Sequence, residues 1–215
     1  MNPSVLPNRC RIVLIAPAGA APGHILSALD GGDVASLILP RWSQDDDAFQ
    51  RLAEAVVPQA QAQGVAVMIG DDARVAMRTG ADGLHVELPK AEMADVIARH
   101  QAKLMIGAGG ATTRDDALEL GEMRPDYLFF GRFGYDLKPE PHPRNLKLGR
   151  WWAEMVALPC IVMAGSDPAG IEDVARTGAD FVALSQAVYG EGIDPAAAVR
   201  DANARLDEHA PRFED

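Results

Sequence analysis

The amino-acid sequence predicts a (β/α)8 barrel, or TIM barrel, formed by a single domain over residues 1–215. Division of the chain into eight units leaves about 27 residues for each unit of one strand and one helix, which is typical of such barrels. Apolar segments of strand length alternate with helical patterns along the chain. A repeat is the third observation: RTGADGL at residues 78–84 returns as RTGADFV at 176–182, with a looser copy, EMRPDYLFFG, at 122–131. Because alternation does not demonstrate closure, an open doubly wound sheet is the alternative.

The repeat marks the junction between a helix and the next strand. Gly80 and Gly178 are expected to end their helices in the left-handed conformation. Arg78 and Arg176 then lie in the last helical turn, where the helix dipole favours a cation. The apolar runs that follow, GLHV and FVAL, are typical of parallel strands that are buried on both faces. A junction that recurs indicates a recurring βα unit.

Strands and helices can be assigned in order along the chain. The predicted strands are residues 11–16, 35–39, 65–69, 83–87, 103–107, 126–131, 160–165 and 181–185. The helix after the second strand is indicated by apolar residues at helical spacing from Phe49, with acidic residues 45–47 at its positive N-terminus. In TTRDDALELG, a Thr-x-x-Asp capping pattern predicts a helix that closes on Gly121. Asp167 is expected to be the N-cap of a later helix, with Pro168 at its first position.

Composition restricts the classes of partner. Hydrophobic residues make up 48% of the chain, and the net charge of −11 argues against nucleic acid, which binds to a basic surface. A small phosphorylated molecule stays compatible with this charge, because a few local donors suffice to bind it.

Cys10 and Cys160 are too few for a disulfide framework and are expected to be reduced and partly buried. The apolar run at residues 12–16 is short for a signal peptide and stops at Pro17, so we expect a first strand, a cytoplasmic location and no membrane span.

Functional residues of a barrel lie in the loops that follow its strands. The loops after the seventh and eighth strands, AGSD and SQAVYG, have the small residues and the short helix that barrels use to bind phosphate. The loop after the sixth strand, residues 131–145, is the longest in the chain and is expected to be functional or mobile. The predicted substrate- and phosphate-binding residues are Arg41, Trp42, Gly109, Arg132, Lys138, Gly165, Ser185 and Gln186.

Several candidates also have a structural interpretation. Gly165 is equally compatible with a simple turn, and Arg41 with a surface salt bridge instead of phosphate binding. Asp71 and Asp72 follow the third strand, where they either bind a metal or cap the next helix. His85 lies within a strand and is expected to be an interior histidine whose hydrogen bonds are satisfied.

These segments together resemble the thiamine-phosphate synthases and the related thiazole tautomerases. MIGDDARVAMRTGADGLHVELPK is similar to the family's Asn-Asp-Arg strand end and its Gly-Ala-Asp-Gly-Val-His-Leu motif. IGAGGATTRDDALELGEMRPDYLFFGRFG and LPCIVMAGSDPAGIEDVARTGADFVALSQAVYG resemble its Ile-Gly-Val-Ser and Pro-Val-Val-Ala-Ile-Gly-Gly stretches. The resemblance extends over residues 35–190. It implies the coupling of a hydroxymethylpyrimidine diphosphate to a thiazole phosphate, with release of pyrophosphate and assistance from Mg²⁺.

The sequence departs from the family's pattern at several positions. The family's arginine after the second strand is kept as Arg41, one metal-binding carboxylate as Asp71, and the lysine of its phosphate clamp as Lys138. The second metal-binding carboxylate falls on Lys90, with Glu87 as a shifted substitute. Other family side chains are replaced at Gly70, Gly109, Ala111, Ala164 and Gln186.

The resemblance therefore implies a thiamine-phosphate synthase-like transferase with a degenerate active site, whose catalytic residues the sequence does not define. Mg²⁺, held by Asp71 and Glu87, is the implied cofactor. One alternative is a barrel for a different small phosphorylated or heteroaromatic ligand, on which Trp42 and Tyr135 could stack. Another is a non-catalytic protein that binds a thiamine-related molecule. A homodimer is compatible with the sequence.

Overall fold

The structure, a computed structural model that describes residues 7–213, is a closed barrel and confirms the predicted fold. The strands of this range are parallel and pair in chain order, and the last pairs with the first. The strands are β1 (Arg11–Ile15), β2 (Ser36–Leu39), β3 (Ala66–Gly70), β4 (Gly83–Val86), β5 (Met105–Ala108), β6 (Tyr127–Phe130), β7 (Cys160–Met163) and β8 (Phe181–Leu184). The helices are α1 (Pro22–Ser27), α2 (Asp46–Ala62), α3 (Ala73–Thr79), α4 (Lys90–His100), α5 (Arg114–Glu122), α6 (Pro143–Met155), α7 (Gly170–Ala175), α8 (Gln186–Tyr189) and α9 (Pro195–His209).

Two apolar layers hold the barrel together, because successive side chains of a strand point to opposite faces. In β1, Ile12 and Leu14 belong to the outer layer between strands and helices, whereas Val13 and Ile15 belong to the inner one. The inner layer consists of Val13, Ile15, Ile38, Met68, Tyr127, Phe129, Ile161, Met163 and Ala183. The barrel interior is therefore a packed core with no channel through its inner layer.

Two strand glycines make room for large side chains inside the barrel. A Cβ atom at Gly107 would overlap the ring of Tyr127, and one at Gly83 would overlap the end of Met68. Both glycines lie on strands that neighbour the strand of the large residue, β5 beside β6 and β4 beside β3. The absent side chains of these glycines thus leave room that the neighbouring bulky side chains fill.

The Asp of the repeated junction forms a hydrogen bond that explains why it recurs. Asp82 Oδ2 accepts from the N–H of Val67 at 2.7 Å, Asp126 Oδ2 accepts from that of Ile106 at 2.6 Å, and Asp180 Oδ2 accepts from that of Cys160 at 2.8 Å. In each case the residue before an even-numbered strand satisfies an N–H of the preceding odd-numbered strand. The repeat thus encodes the contact between two neighbouring strands at the end of the barrel opposite the loops that follow the strands.

The residue two positions before each of these aspartates has a positive φ. Gly80 has φ 69° and is the left-handed C-cap of α3, as predicted, and Gly178 has φ 82°. The looser copy places Arg124 at this position with φ 57°. The backbone conformation is therefore kept even where the glycine is lost, at a cost in strain that an L-residue carries in this region.

Two predicted helix boundaries were wrong. Helix α5 does not close on Gly121 but continues to Glu122. Gly121 instead makes room for Trp152, because a Cβ atom there would lie 2.6 Å from the Trp152 ring. Asp167 is not the N-cap of α7, which begins at Gly170 with Ala169 as N-cap. The Asp167 carboxylate instead accepts from the N–H of Ala169 at 2.9 Å, in a separate turn that precedes the helix.

The chain ends of the described range meet beside α9. Arg9 is almost fully buried and donates to Asp207 at 2.8 Å and to Asn203 at 3.1 Å. Cys10 and Cys160 are both free and fully buried, where partial burial was expected. Within residues 7–213, no helix combines the length and the apolar character needed to span a bilayer.

We predict that Asp82→Ala lowers the free energy of unfolding by about 1–3 kcal/mol, because the N–H of Val67 loses its acceptor. Urea denaturation followed by circular dichroism measures this difference. Glu154→Ala is the control, because it removes an exposed carboxylate of α6 that accepts no backbone N–H within residues 7–213. We expect it to change the free energy of unfolding by no more than about 0.5 kcal/mol. Equal effects of the two substitutions would contradict the role given to Asp82.

Candidate functional site at the barrel mouth

The carboxyl ends of the strands open on one side of the barrel, where polar side chains of several loops meet. Asp71 directly follows β3 and Glu87 directly follows β4. The N–H of Asp71 donates to the carbonyl of His85 at 3.1 Å, and the N–H of Glu87 donates to Asp71 Oδ1 at 3.4 Å. Asp71 and Glu87, the two predicted metal ligands, are therefore brought together.

Asp71 and Glu87 form a carboxylate pair with unfavourable electrostatics. Both side chains reach the surface of the opening, yet the surrounding protein removes enough water to raise the pKa of each carboxyl. The negative charge of Asp71 raises the pKa of Glu87 further, whereas nearby Arg132 lowers it. A cation between the two carboxylates would relieve this repulsion.

Asp72, and not Asp71, caps the helix that follows β3. Asp72 is the N-cap of α3, and its carboxylate accepts from the N–H of Val75 at 2.9 Å. Asp71 has φ 54°, a left-handed conformation that is uncommon for a residue with a side chain. Strained residues of this kind concentrate at functional sites. The capping interpretation therefore applies to Asp72, whereas the carboxylate of Asp71 accepts from the N–H of Glu87.

The donor set fits Mg²⁺ better than a metal that requires a full protein cage. Among residues 7–213 there is no cluster of three or more His, Cys, Asp or Glu side chains that could hold a metal. Mg²⁺ prefers oxygen ligands, keeps several waters and is commonly held by one or two carboxylates together with substrate phosphates. Lys90 forms an exposed ion pair with Glu119, so its charge is directed to α5.

His85 lies inside the barrel beneath the carboxylate pair. Its Nδ1 is 3.0 Å from the hydroxyl of Tyr127. The centroid of its imidazole ring is 5.2 Å from that of the Phe129 ring and 4.9 Å from that of the Phe133 ring. Its Nε2 has no hydrogen-bond partner within the described range 7–213. The prediction of an interior histidine is right in position, but one of its two nitrogens is left unsatisfied.

Gly109 lies directly against this nitrogen. A Cβ atom at Gly109 would lie 2.8 Å from Glu87 Cγ and 3.1 Å from His85 Nε2. Any side chain here would therefore cover the imidazole and push against Glu87. The family's serine is absent from this position, and His85 Nε2 is buried beneath the backbone there.

Trp42 forms an aromatic wall with the loop after β6. It has φ 50°, and its indole N–H donates to the carbonyl of Ala16 at 3.1 Å. Its ring lies 6.4 Å from the ring of Phe133, and a Cβ atom at Gly134 would contact it. Trp42, a predicted stacking residue, is half-buried at the mouth.

Arg41 forms ion pairs at the edge of the mouth. It contacts Asp46, which Arg74 also contacts at 2.7 Å, and its Nη1 is 3.6 Å from Asp72 Oδ2. The Arg74 and Arg41 guanidinium groups lower the pKa of the Asp46 carboxyl. The guanidinium of Arg41 is thus engaged by carboxylates beside β2 and β3, which corresponds to the salt-bridge interpretation of this residue.

Lys138, Gly165 and Gln186 lie in the segments that follow β6, β7 and β8. The carbonyl of Lys138 accepts from the N–H of Ser166 at 2.8 Å, and that of Pro139 accepts from the N–H of Asp167 at 3.1 Å. Gly165 has no room for a side chain, because a Cβ atom would overlap the Pro139 carbonyl. Lys138 and Gly165 are thus brought together through backbone contacts, and within residues 7–213 no hydrogen bond or ion pair joins them to Arg41.

Residues missed by the sequence analysis complete the mouth. Asp136 Oδ2 accepts from the N–H of Gln186 at 2.7 Å, next to the buried Ser185. Arg132 stacks over the ring of Tyr135, with its Cζ 4.4 Å from the ring centroid. Arg132 was predicted as a binding residue and Tyr135 as a stacking residue. Asp136, Tyr127, Phe129 and Phe133 were not predicted. Each contacts partners far away in sequence, so no local pattern distinguished them.

Fold and mouth together define a TIM-barrel protein with a polar, partly aromatic site at the carboxyl ends of its strands. A family model described as thiamine monophosphate synthase matches residues 13–188. The chain therefore belongs to this family and is thiamine-phosphate synthase-like. This confirms the resemblance noted in the sequence.

Individual relatives agree with this assignment. The chain is 33% identical over 202 residues to the thiamine-phosphate synthase of Rhodospirillum centenum, an alignment that covers 90% of this chain and 96% of that protein. It is 34% identical over 206 residues to that of Hyphomonas neptunium, with 91% and 93% covered. The solved thiamine phosphate pyrophosphorylase from Pyrococcus furiosus superposes with a TM-score of 0.79 at 20% identity, over 94% of this chain and 97% of that one, which demonstrates the shared fold.

We predict that the His85 imidazole stays neutral from pH 8 down to about pH 5, because burial lowers its pKa to about 3. The unfolded chain takes up this proton near the ordinary value of 6.5, so the stability contributed by neutral His85 is complete above that pH and is lost as the pH falls towards 3. Histidine-selective NMR checks this, with His85→Gln to assign the signal. A titration midpoint near 6.5 for that signal would contradict the prediction.

Proposed function

We propose that this chain catalyses the formation of thiamine phosphate by joining hydroxymethylpyrimidine diphosphate to thiazole phosphate, with release of pyrophosphate. The observation that carries the proposal is the Asp71–Glu87 carboxylate pair beside Arg132 at the mouth of a barrel of this family. The curated relatives named thiamine-phosphate synthase support it, since they align over most of both chains.

Asp71 and Glu87 are the residues that would hold Mg²⁺. When bound there, Mg²⁺ neutralises charge on the diphosphate and so makes it a better leaving group. Arg132, whose charge already acts on Glu87, is placed to attract the same anion. The raised pKa of both carboxyls fits this role, because a bound cation would offset the loss of water and the repulsion by Asp71 that raise it.

The remaining mouth residues suit a heteroaromatic substrate. The reaction breaks the bond between the methylene carbon and the diphosphate oxygen and forms one to the thiazole nitrogen, so it needs little acid–base catalysis. Neutral His85 offers a hydrogen-bonding nitrogen without adding positive charge near a carbocation-like centre. Trp42 and Phe133 supply aromatic surface for a pyrimidine or thiazole ring.

Binding without catalysis is the second candidate function. Arg41, a cation that the family pattern retains, is engaged by Asp46 and Asp72, and this reduces the positive charge available for a diphosphate. A protein of this kind would bind a thiamine-related or other small phosphorylated molecule and be indifferent to metal. A homodimer and a cytoplasmic location stay predictions of the sequence.

Incubation of the purified protein with both substrates and Mg²⁺ is expected to produce thiamine phosphate, detected by oxidation to fluorescent thiochrome phosphate. Omission of Mg²⁺ with EDTA present should reduce the rate by about tenfold or more, since charge neutralisation contributes several kcal/mol. If no product forms above background while calorimetry records substrate binding, the binding function replaces the catalytic one.

The adjacent aspartates allow a matched test of the metal site. Asp71→Asn is expected to lower kcat by about tenfold or more and to weaken the dependence on Mg²⁺, because one carboxylate ligand is lost. Asp72→Asn is the control and should keep the activity, because Asn caps a helix as well as Asp and the 3.6 Å contact with Arg41 contributes little. Loss of activity in both variants, or in Asp72→Asn alone, would contradict the assignment of Asp71.

A further inference from the structure

Asp136 is an anion held inside the protein by an incomplete set of partners. It lies in the β6 loop, which we define as residues 131–142 between β6 and α6, and only 3% of its surface is exposed. Oδ2 accepts one hydrogen bond, from the N–H of Gln186 at 2.7 Å. Oδ1 is buried and has no partner in the described part of the chain. A buried carboxylate with one unsatisfied oxygen is costly, so its position requires an explanation.

Backbone carbonyls of the β6 loop also accept hydrogen bonds from neighbouring N–H groups. The N–H groups of Ser166 and Asp167, after β7, are bound to the carbonyls of Lys138 and Pro139. The close approach at Gly165 lets these two segments meet. Donors after β7 and β8 are the groups with which barrels bind phosphate. In this structure, three such N–H groups are satisfied by oxygen atoms of the β6 loop.

The β6 loop buries a charged side chain and exposes two apolar or aromatic ones, which is the opposite of the usual distribution. The side chains on either side of Asp136 are apolar or aromatic and face solvent, with Tyr135 67% exposed and Leu137 70% exposed. An arrangement with the carboxylate outside and these two residues over the mouth would be better solvated. Gly134, with φ 76°, supplies a flexible point at the start of the segment.

We propose that the β6 loop is an autoinhibitory latch, in which the Asp136 carboxylate occupies the donor at Gln186 until a ligand's phosphate group displaces it. Displacement turns Asp136 towards solvent and brings Tyr135 and Leu137 over the bound ligand. The inference rests on the proposed function only in that the ligand carries a phosphate group. The latch lowers the affinity for phosphate, because only the fraction of molecules with an open loop binds it.

Calorimetric titration with inorganic phosphate tests the latch. Asp136→Ala removes the internal anion and is expected to tighten the Kd for phosphate by about tenfold relative to the unaltered protein, as a charge-assisted hydrogen bond no longer competes. Asp136→Asn keeps the shape without the charge and is expected to have an intermediate effect. Glu140→Gln is the matched control, since it removes an exposed carboxylate from the same loop and should leave Kd unchanged. An unchanged Kd in Asp136→Ala, or an equal gain in Glu140→Gln, would overturn the latch.

Hydrogen–deuterium exchange of the unaltered protein gives a second test that does not depend on the folding of a variant. Saturating phosphate is expected to increase exchange in peptides of the β6 loop and to reduce it at Gln186. Unchanged or slower exchange in the loop would overturn the latch.

The thiamine phosphate assay separates the latch from the proposed function. Product formation by the unaltered protein, combined with an unchanged Kd in Asp136→Ala, rejects the latch and keeps the function. Tighter phosphate binding by Asp136→Ala without product from either protein supports the latch and rejects the function.

Discussion

Pairing of β1 with β8 is the interaction on which the rest of the structure depends. Once Arg11 pairs with Phe181 and Leu14 with Leu184, both strands have a neighbour on each side, so neither presents unpaired backbone groups at an edge. Closure also creates an interior that side chains must fill, which is why Gly83 and Gly107 stand beside Met68 and Tyr127. It directs the carboxyl ends of the strands to one opening, and thereby determines where any function can lie.

The two ends of the barrel differ in how well their polar groups are satisfied. At the amino end, Asp82, Asp126 and Asp180 each accept an N–H of the neighbouring strand. At the mouth, Asp71 has a strained φ and His85 leaves a buried nitrogen without a partner within residues 7–213. Locally unfavourable features persist only where the surrounding structure compels them, and they concentrate at sites of function. Hydrogen bonding is therefore satisfied at these three junctions and incomplete at His85 in the mouth.

The β6 loop links the elements of the mouth that are far apart in sequence. Phe133 contacts both His85 and Trp42, the charge of Arg132 acts on Glu87, and Asp136 contacts Gln186. A movement of this one segment would change the aromatic wall, the charge beside the carboxylate pair and the donors after β8 together. Under the proposed latch, binding of an anion and enclosure of a ring would be coupled through this single loop.

The sequence by itself determined the repeating βα unit, because its signals act over a few residues. The glycine C-cap at Gly80 and the alternation of apolar and helical segments predicted the order of the elements. The tertiary structure decided closure and the partners of the site residues, because these contacts join distant parts of the chain. His85 and Tyr127 are 42 residues apart, and Asp136 and Gln186 are 50 apart. Which side chains meet across a barrel depends on strand tilt and loop path, and no local pattern of residues encodes these two quantities.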